Sequence, residues 1–142
     1  MEREHSVVQS VELGGSSQDV WGVVGGFFNI HTWHPDITHS AVPADQTLVS
    51  SLRRELTFPG QPITVEELVV MDNDSMFYKY KWVKGEWGER VKEYRAELRV
   101  ISTDDEGRCI VRWSSTFVYV EDAISGFYLN GFRELQRRFP LP

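Results

Sequence analysis

The chain has 142 residues, a formal net charge of -6, and 41% hydrophobic against 25% charged residues. That is the composition of a packed domain, expected to be one unit over 1–142, rather than a disordered tail or a fibre. So acidic a chain lacks the positive field that nucleic acid or an anionic membrane surface requires.

Val7–Leu13 alternates, with Val7, Val11 and Leu13 in phase, and predicts a strand that Gly14-Gly15 ends. Ser16-Ser17 offers an N-cap with Asp19 at capping-box distance from Ser16, and Val20, Trp21, Val24, Phe27 and Phe28 follow at helical spacing. Gly22, Gly25 and Gly26 fall inside that expected helix, which suggests close packing on another backbone. A second short helix is expected from Asn29, as cap, to His34, closed by Pro35. From Ile37 the pattern turns to strands. Thr47–Phe58 places Leu48, Leu52, Leu56 and Phe58 on one face, Pro59-Gly60 is a turn, and Ile63–Met71 is apolar in both phases. Met76–Val83 carries Tyr78, Tyr80 and Trp82 on one face and Lys79 and Lys81 on the other, and Gly85–Gly88 reads as a loop. Val91–Ser102 has Tyr94, Ala96, Leu98 and Val100 in phase; Cys109–Val120 has Val111, Trp113, Phe117 and Tyr119. Asp122 caps a last helix with an apolar stripe of Ile124, Phe127, Tyr128, Gly131, Leu135 and Phe139; Arg133, Arg137 and Arg138 suit the negative end of its dipole. Six strands joined by short turns predict an antiparallel sheet and an α+β class. The last helix is the one element long enough to cover the sheet's apolar face.

The same inspection excludes several chemistries. The single cysteine, Cys109, allows neither an internal disulfide framework nor a cysteine-rich zinc site, and no apolar run is long enough to cross a bilayer. The charged opening Met1–His5 has no signal-peptide core behind it, so a cytoplasmic protein is expected. There is no glycine-rich phosphate loop, nucleophile elbow or Cys-x-x-Cys pair. His31, His34, His39 and Asp36 invite a metal, but Pro35 breaks their element and no further ligand pair has metal spacing, so no metal and no cofactor are expected. The histidines are expected instead around a cavity entrance, with His34 suited to proton transfer.

Aromatic residues make up 13% of the chain, and Tyr78, Tyr80, Trp82, Tyr94, Trp113 and Tyr119 occupy the inward phases of their strands. They either fill the core or line a cavity for a small organic molecule. Alternation puts Arg54 on the inward face with Leu52, Leu56 and Phe58. A buried guanidinium needs a partner. Glu66 is the candidate, though the doubly apolar strand leaves open whether Glu66 or Glu67 faces in.

Val20-Trp21 with Phe27-Phe28, Trp33-His34-Pro35, Arg54-Glu55-Leu56-Thr57, Glu66-Glu67-Leu68 with Asp72, the Tyr78/Tyr80 strand, Tyr94-Arg95-Ala96-Glu97-Leu98 and Val111-Arg112-Trp113 with Phe117 share one feature. In this order they resemble the START-like, birch-pollen-allergen-like helix-grip superfamily, and within it the polyketide cyclase/dehydrase-like (SRPBCC) branch. The resemblance implies a seven-stranded curved antiparallel sheet wrapped around a long C-terminal helix, with two short helices after the first strand and an apolar cavity between sheet and helix. Enzymes of that superfamily exist that use an arginine and a glutamate in the cavity, and Arg54 and Glu66 fall at the matching strand positions.

The expected function is therefore a small-molecule-binding protein holding an apolar or aromatic, partly oxygenated ligand. Its catalytic form would run a cofactor-free cyclisation, dehydration or isomerisation through Arg54 and Glu66. Trp33, His34, Tyr78, Tyr80, Trp82, Tyr94, Trp113, Phe117 and Tyr128 are the expected ligand-binding residues. The alternative is a non-catalytic carrier of lipid or another hydrophobic ligand, or a co-chaperone-like module. No partner beyond the ligand is expected except a second copy in a homodimer.

Overall fold

The computed structural model describes residues 3–42, 52–84, 91–119 and 124–142. The strands are β1 (Arg3–Leu13), β2 (His39–Ala41), β3 (Arg53–Thr57), β4 (Thr64–Asp72), β5 (Phe77–Lys84), β6 (Val91–Ser102) and β7 (Cys109–Tyr119). They form one antiparallel sheet in the order β1-β7-β6-β5-β4-β3-β2. Helix α1 (Ser17–Val24) and a 3₁₀ segment (Phe27–Thr32) separate β1 from β2, and α2 (Ile124–Arg138) follows β7. The expected cap at Asp122, the loop at Gly85–Gly88, the start of the strand at Thr47 and the Tyr119 side chain lie outside the described residues.

Ser16 caps α1 as its sequence dictates, accepting the Asp19 N–H at 3.1 Å. The helix is shorter than the hydrophobic spacing suggests. Gly25 is its C-cap and Gly26 the N-cap of the 3₁₀ segment, so the pair interrupts the helix instead of sitting within it. Gly22 is exposed and meets nothing, so the expected close packing there is absent. The second helical piece begins at Phe27, not after Asn29, because the break at Gly25-Gly26 restarts the backbone two residues earlier.

Strand alternation carries through to burial. Tyr78, Tyr80, Tyr94, Ala96, Leu98, Val100, Val111, Trp113 and Phe117 all point to one face and are buried. Leu52 departs from the expectation: it precedes β3 and is exposed. The doubly apolar β4 is explained by a bulge between Leu68 and Val70, which turns both Val69 and Val70 outward. Helix α2 lies on the inner face through Tyr128, Phe132 and Leu135, with Tyr128 stacked on Trp113 at 4.5 Å. Each such buried side chain contributes on the order of 1.5–3 kcal/mol. Phe132 belongs to this stripe at i+4 from Tyr128, a spacing the sequence already displays. Where α2 ends, the Gly14 N–H donates to the Phe139 carbonyl at 2.9 Å, and a Cβ at Gly14 would lie 2.0 Å from the Pro140 oxygen. Only glycine allows β1 and the tail to meet there.

Candidate functional site

Register brings the central pair together. In the β3–β4 ladder Arg54 stands opposite Glu66, and both side chains turn inward. Arg54 is 0% exposed. Its Nε and Nη2 donate to Glu66 Oε1 at 2.9 and 2.7 Å, and its Nη1 donates to the Phe27 carbonyl at 2.6 Å. The guanidinium lies over the Phe27 ring at 4.0 Å and the Tyr80 ring at 4.9 Å. Glu67 turns to the other face, where it pairs with Arg53 at 3.1 Å and Lys81 at 3.0 Å. The question the sequence left open is answered by the register, with Glu66 inside and Glu67 outside.

Two capacities of this pair are unused. A guanidinium has five N–H donors and three are engaged. Both Arg54 contacts fall on Glu66 Oε1, which leaves Oε2 outside the pair. Burial pushes the Glu66 carboxyl up, against the pull of Arg54. Burial opposes the charge on Arg54, but Glu66, with Tyr78 and Tyr80 beside it, more than offsets this and keeps the guanidinium protonated.

Around the pair the aromatic side chains form a polar-tipped cluster. Trp113 Nε1 donates to the Tyr80 hydroxyl at 3.0 Å, and the Tyr94 and Tyr128 hydroxyls bond each other. The Tyr78 hydroxyl lies near Arg54 without a well-formed hydrogen bond, and Trp33 Nε1 and Ser115 Oγ are likewise buried without one. Burial raises the ionisation of Tyr78, Tyr80, Tyr94 and Tyr128, so all four are neutral hydroxyls at physiological pH. Phe117 is buried beside Tyr94, their rings 6.2 Å apart, and Trp82 is partly buried opposite Glu66 in the β4–β5 ladder.

The histidines depart from expectation. His34 does not border an entrance: it is 1% exposed and stacked on Phe127 at 4.1 Å. Its Nε2–H donates to the Phe127 carbonyl at 2.9 Å and its Nδ1 accepts the Asp36 N–H at 3.2 Å. Both nitrogens are committed to backbone, which fixes the neutral tautomer and leaves none for proton exchange with a bound molecule. Desolvation lowers its pKa to about 4. His31 Nδ1 bonds the Ser40 hydroxyl, and His39 is exposed. Among the described residues no three His, Cys, Asp or Glu side chains gather closely enough to hold a metal ion.

Sequence reasoning placed Phe27 and Gly131 on apolar faces and missed their roles at the site. The break at Gly25-Gly26 is what aims the Phe27 carbonyl at Arg54. Gly131 lets α2 approach the core: a Cβ there would meet His34 Cδ2 at 2.8 Å and Trp113 Cζ3 at 3.2 Å. Gly131→Ala would gain about 1 kcal/mol of helix propensity and lose roughly 1–3 kcal/mol to overpacking. Because His34 is locked on three sides, a net destabilisation is expected, read as a lower urea midpoint with altered Trp fluorescence. A more stable variant would show that α2 has room to move.

A curved seven-stranded antiparallel sheet closed on a long C-terminal helix, with polar groups buried between them, defines a helix-grip protein. The family model described as polyketide cyclase / dehydrase and lipid transport matches residues 4–139, and the chain belongs to that family. Among solved structures it is similar to an uncharacterized protein from Bacillus thuringiensis, with 26% identity, TM-score 0.83, and 95% of this chain and 98% of that one covered. It is also similar to the protein XoxI from Bacillus cereus, with 26% identity, TM-score 0.82 and 94% of each chain covered. Norcoclaurine synthase from Thalictrum flavum in complex with dopamine and hydroxybenzaldehyde shares the fold, with 15% identity, TM-score 0.70, and 99% of this chain and 91% of that one covered. None of the curated proteins compared matches the chain. No helix among the described residues is long and apolar enough to cross a membrane.

Proposed function

We propose that the chain binds a small aromatic or apolar molecule bearing an oxygen anion or carbonyl between the sheet and α2, with Arg54 as its anchor and Glu66 as the group that exchanges a proton with it. The observation that carries this reading is the buried Arg54–Glu66 pair with two N–H donors and one carboxyl oxygen left over, next to the unpartnered Tyr78 hydroxyl. A pair serving only to fix the sheet has no use for spare hydrogen-bonding capacity, because buried polar groups are usually satisfied. A raised carboxyl in a dry setting is suited to general acid–base work, and proton transfer of that kind covers cyclisation, dehydration and isomerisation without a cofactor. Trp33, His34, Tyr78, Tyr80, Trp82, Tyr94, Trp113, Phe117 and Tyr128 supply the surrounding surface, and the hydroxyls and indole N–H groups among them orient the ligand's oxygens. The membership of the family described by cyclisation, dehydration and lipid transport supports a small-molecule role. The oxygenated aromatic molecules bound to the Thalictrum enzyme support the choice of probes.

The test is a titration of intrinsic Trp fluorescence with 2-naphthol, 2-naphthoate and 2-naphthylmethylamine. The carboxylate should bind tightest and the amine weakest. Arg54→Met should weaken naphthoate by about tenfold or more, the worth of a charge-assisted hydrogen bond. Tyr78→Phe, which removes a hydroxyl lying near Arg54 without a well-formed hydrogen bond, should leave the fold intact and weaken naphthoate severalfold. Equal binding of all three probes, or naphthoate binding untouched by both variants, would mean the pair is structural.

A further inference from the structure

The outer face of the sheet carries a trough of about 600 Å³ that crosses the strands from β1 to β4. Two rungs of the ladder form its floor. Val8 stands opposite Ser114, Ser114 opposite Glu97, and Glu97 opposite Lys79. In the neighbouring rung Ser6 stands opposite Thr116, Thr116 opposite Arg95, and Arg95 opposite Lys81. Successive positions two apart share a face, so these side chains are all turned away from the core.

The charges here are unbalanced. Lys81 faces Arg95 across β5–β6, and Arg99 faces Arg112 across β6–β7. Like charges directly opposed in a ladder are destabilising. Glu67 takes Lys81, and Glu97 takes Arg99 at 2.9 Å and Arg112 at 3.7 Å. Among the described residues Lys79 and Arg95 have no carboxylate in salt-bridge reach. In the trough's own lining three cations, Lys79, Lys81 and Arg95, therefore meet one carboxylate, Glu97, which also pairs with Arg99 and Arg112, while the neighbouring Glu67 is shared between Lys81 and Arg53, on a chain whose net charge is -6. The two most exposed large apolar side chains among the described residues, Val8 at 61% and Val69 at 56%, both line this same trough. Val69 is turned outward by the β4 bulge, so its exposure is built into the backbone.

We propose that this trough binds an anionic amphiphile: a carboxylate, sulfonate or phosphate carried on an apolar body. The anionic head sits between Lys79 and Arg95, neither of them in a direct ion pair among the described residues, beside the donor hydroxyls of Ser114 and Thr116. The body lies along the floor toward Val8, three strand spacings away, which is roughly 14 Å. The volume is that of a small-molecule site. This site is separate from the interior pair, with the thickness of the sheet between them.

The experiment uses dodecanoate below its micelle concentration at fixed ionic strength, followed by 15N–1H correlation spectra. Saturable shifts are expected at Ser6, Val8, Arg95 and Thr116. The double variant Lys79→Glu/Arg95→Glu should weaken binding by about tenfold or more. Val8→Ser should weaken it severalfold, and the interior variant Tyr78→Phe should leave it unchanged. Dodecyltrimethylammonium, the cationic counterpart, should not bind. The proposal is overturned by shifts that respond to Tyr78→Phe but not to the double variant, or by equal binding of the cationic probe. It is also overturned if dodecanoate does not bind while phosphatidylglycerol vesicles or an octaglutamate peptide do.

Discussion

Arg54→Met is expected to lower stability by about 3–5 kcal/mol, the usual effect of leaving one member of a buried ion pair unpartnered. The structure shows where the loss arises. Glu66 is left charged or forced to protonate in a dry site, and the Phe27 carbonyl loses its 2.6 Å donor. The Phe27 and Tyr80 rings also lose the cation they pack on. The double variant Arg54→Met/Glu66→Leu should recover most of that loss, because an apolar pair of similar volume replaces both charges. Urea unfolding of the two single variants and the double variant, with unchanged m-values, gives the coupling energy directly. A single variant near zero, or a double variant as unstable as the sum of the singles, would contradict a tightly coupled buried pair.

Acid is expected to unfold the protein partly through His34. Its folded-state pKa of about 4 lies below the ordinary imidazole value of 6.5, because burial disfavours the charged ring. The unfolded chain therefore takes up a proton near pH 6.5 that the native imidazole refuses until about pH 4. The stability His34 contributes is complete above pH 6.5 and falls as pH drops through that window. At 1.36 kcal/mol per unit the whole window amounts to about 3 kcal/mol, of which about 2 kcal/mol falls between pH 6.5 and 5. His34→Gln retains a donor for the Phe127 carbonyl and does not titrate. Its stability should decline less than the parent's over pH 6.5 to 5, by about that 2 kcal/mol. Parallel curves would show that His34 is protonated in the native state.

Alternation in the sequence carried the sheet because strands with one buried face leave a period-2 signature, and the strands from β5 to β7 keep it nearly without fault. The inward phase of Arg54 was readable for the same reason. Glu66 and Glu67 were not separable, because β4 is apolar in both phases and bulged, and adjacent carboxylates go to opposite faces by register alone. The depth of His34 was hidden: nothing local says that Phe127 and Gly131, about a hundred residues on, close over it. The 3₁₀ segment was misplaced because apolar spacing ran through two glycines that the backbone uses as a break. The hydroxyl contacts among Tyr80, Tyr94, Trp113 and Tyr128 are tertiary facts. The sequence places each ring inward, and only packing decides which tips meet. The outer trough is similar in kind, since Lys79, Lys81 and Arg95 read as an ordinary solvated face until the register sets Lys81 opposite Arg95 with Lys79 in the neighbouring rung.

The most direct test of the central claim is a crystal structure of the protein with 2-naphthoate bound. The carboxylate is expected within about 3 Å of the Arg54 guanidinium, with the naphthalene rings among Tyr78, Tyr80 and Trp113 and the Tyr78 hydroxyl turned to an oxygen of the ligand. Naphthoate held away from Arg54, with the Arg54–Glu66 pair and the Tyr78 hydroxyl unchanged from the unliganded arrangement, would contradict it.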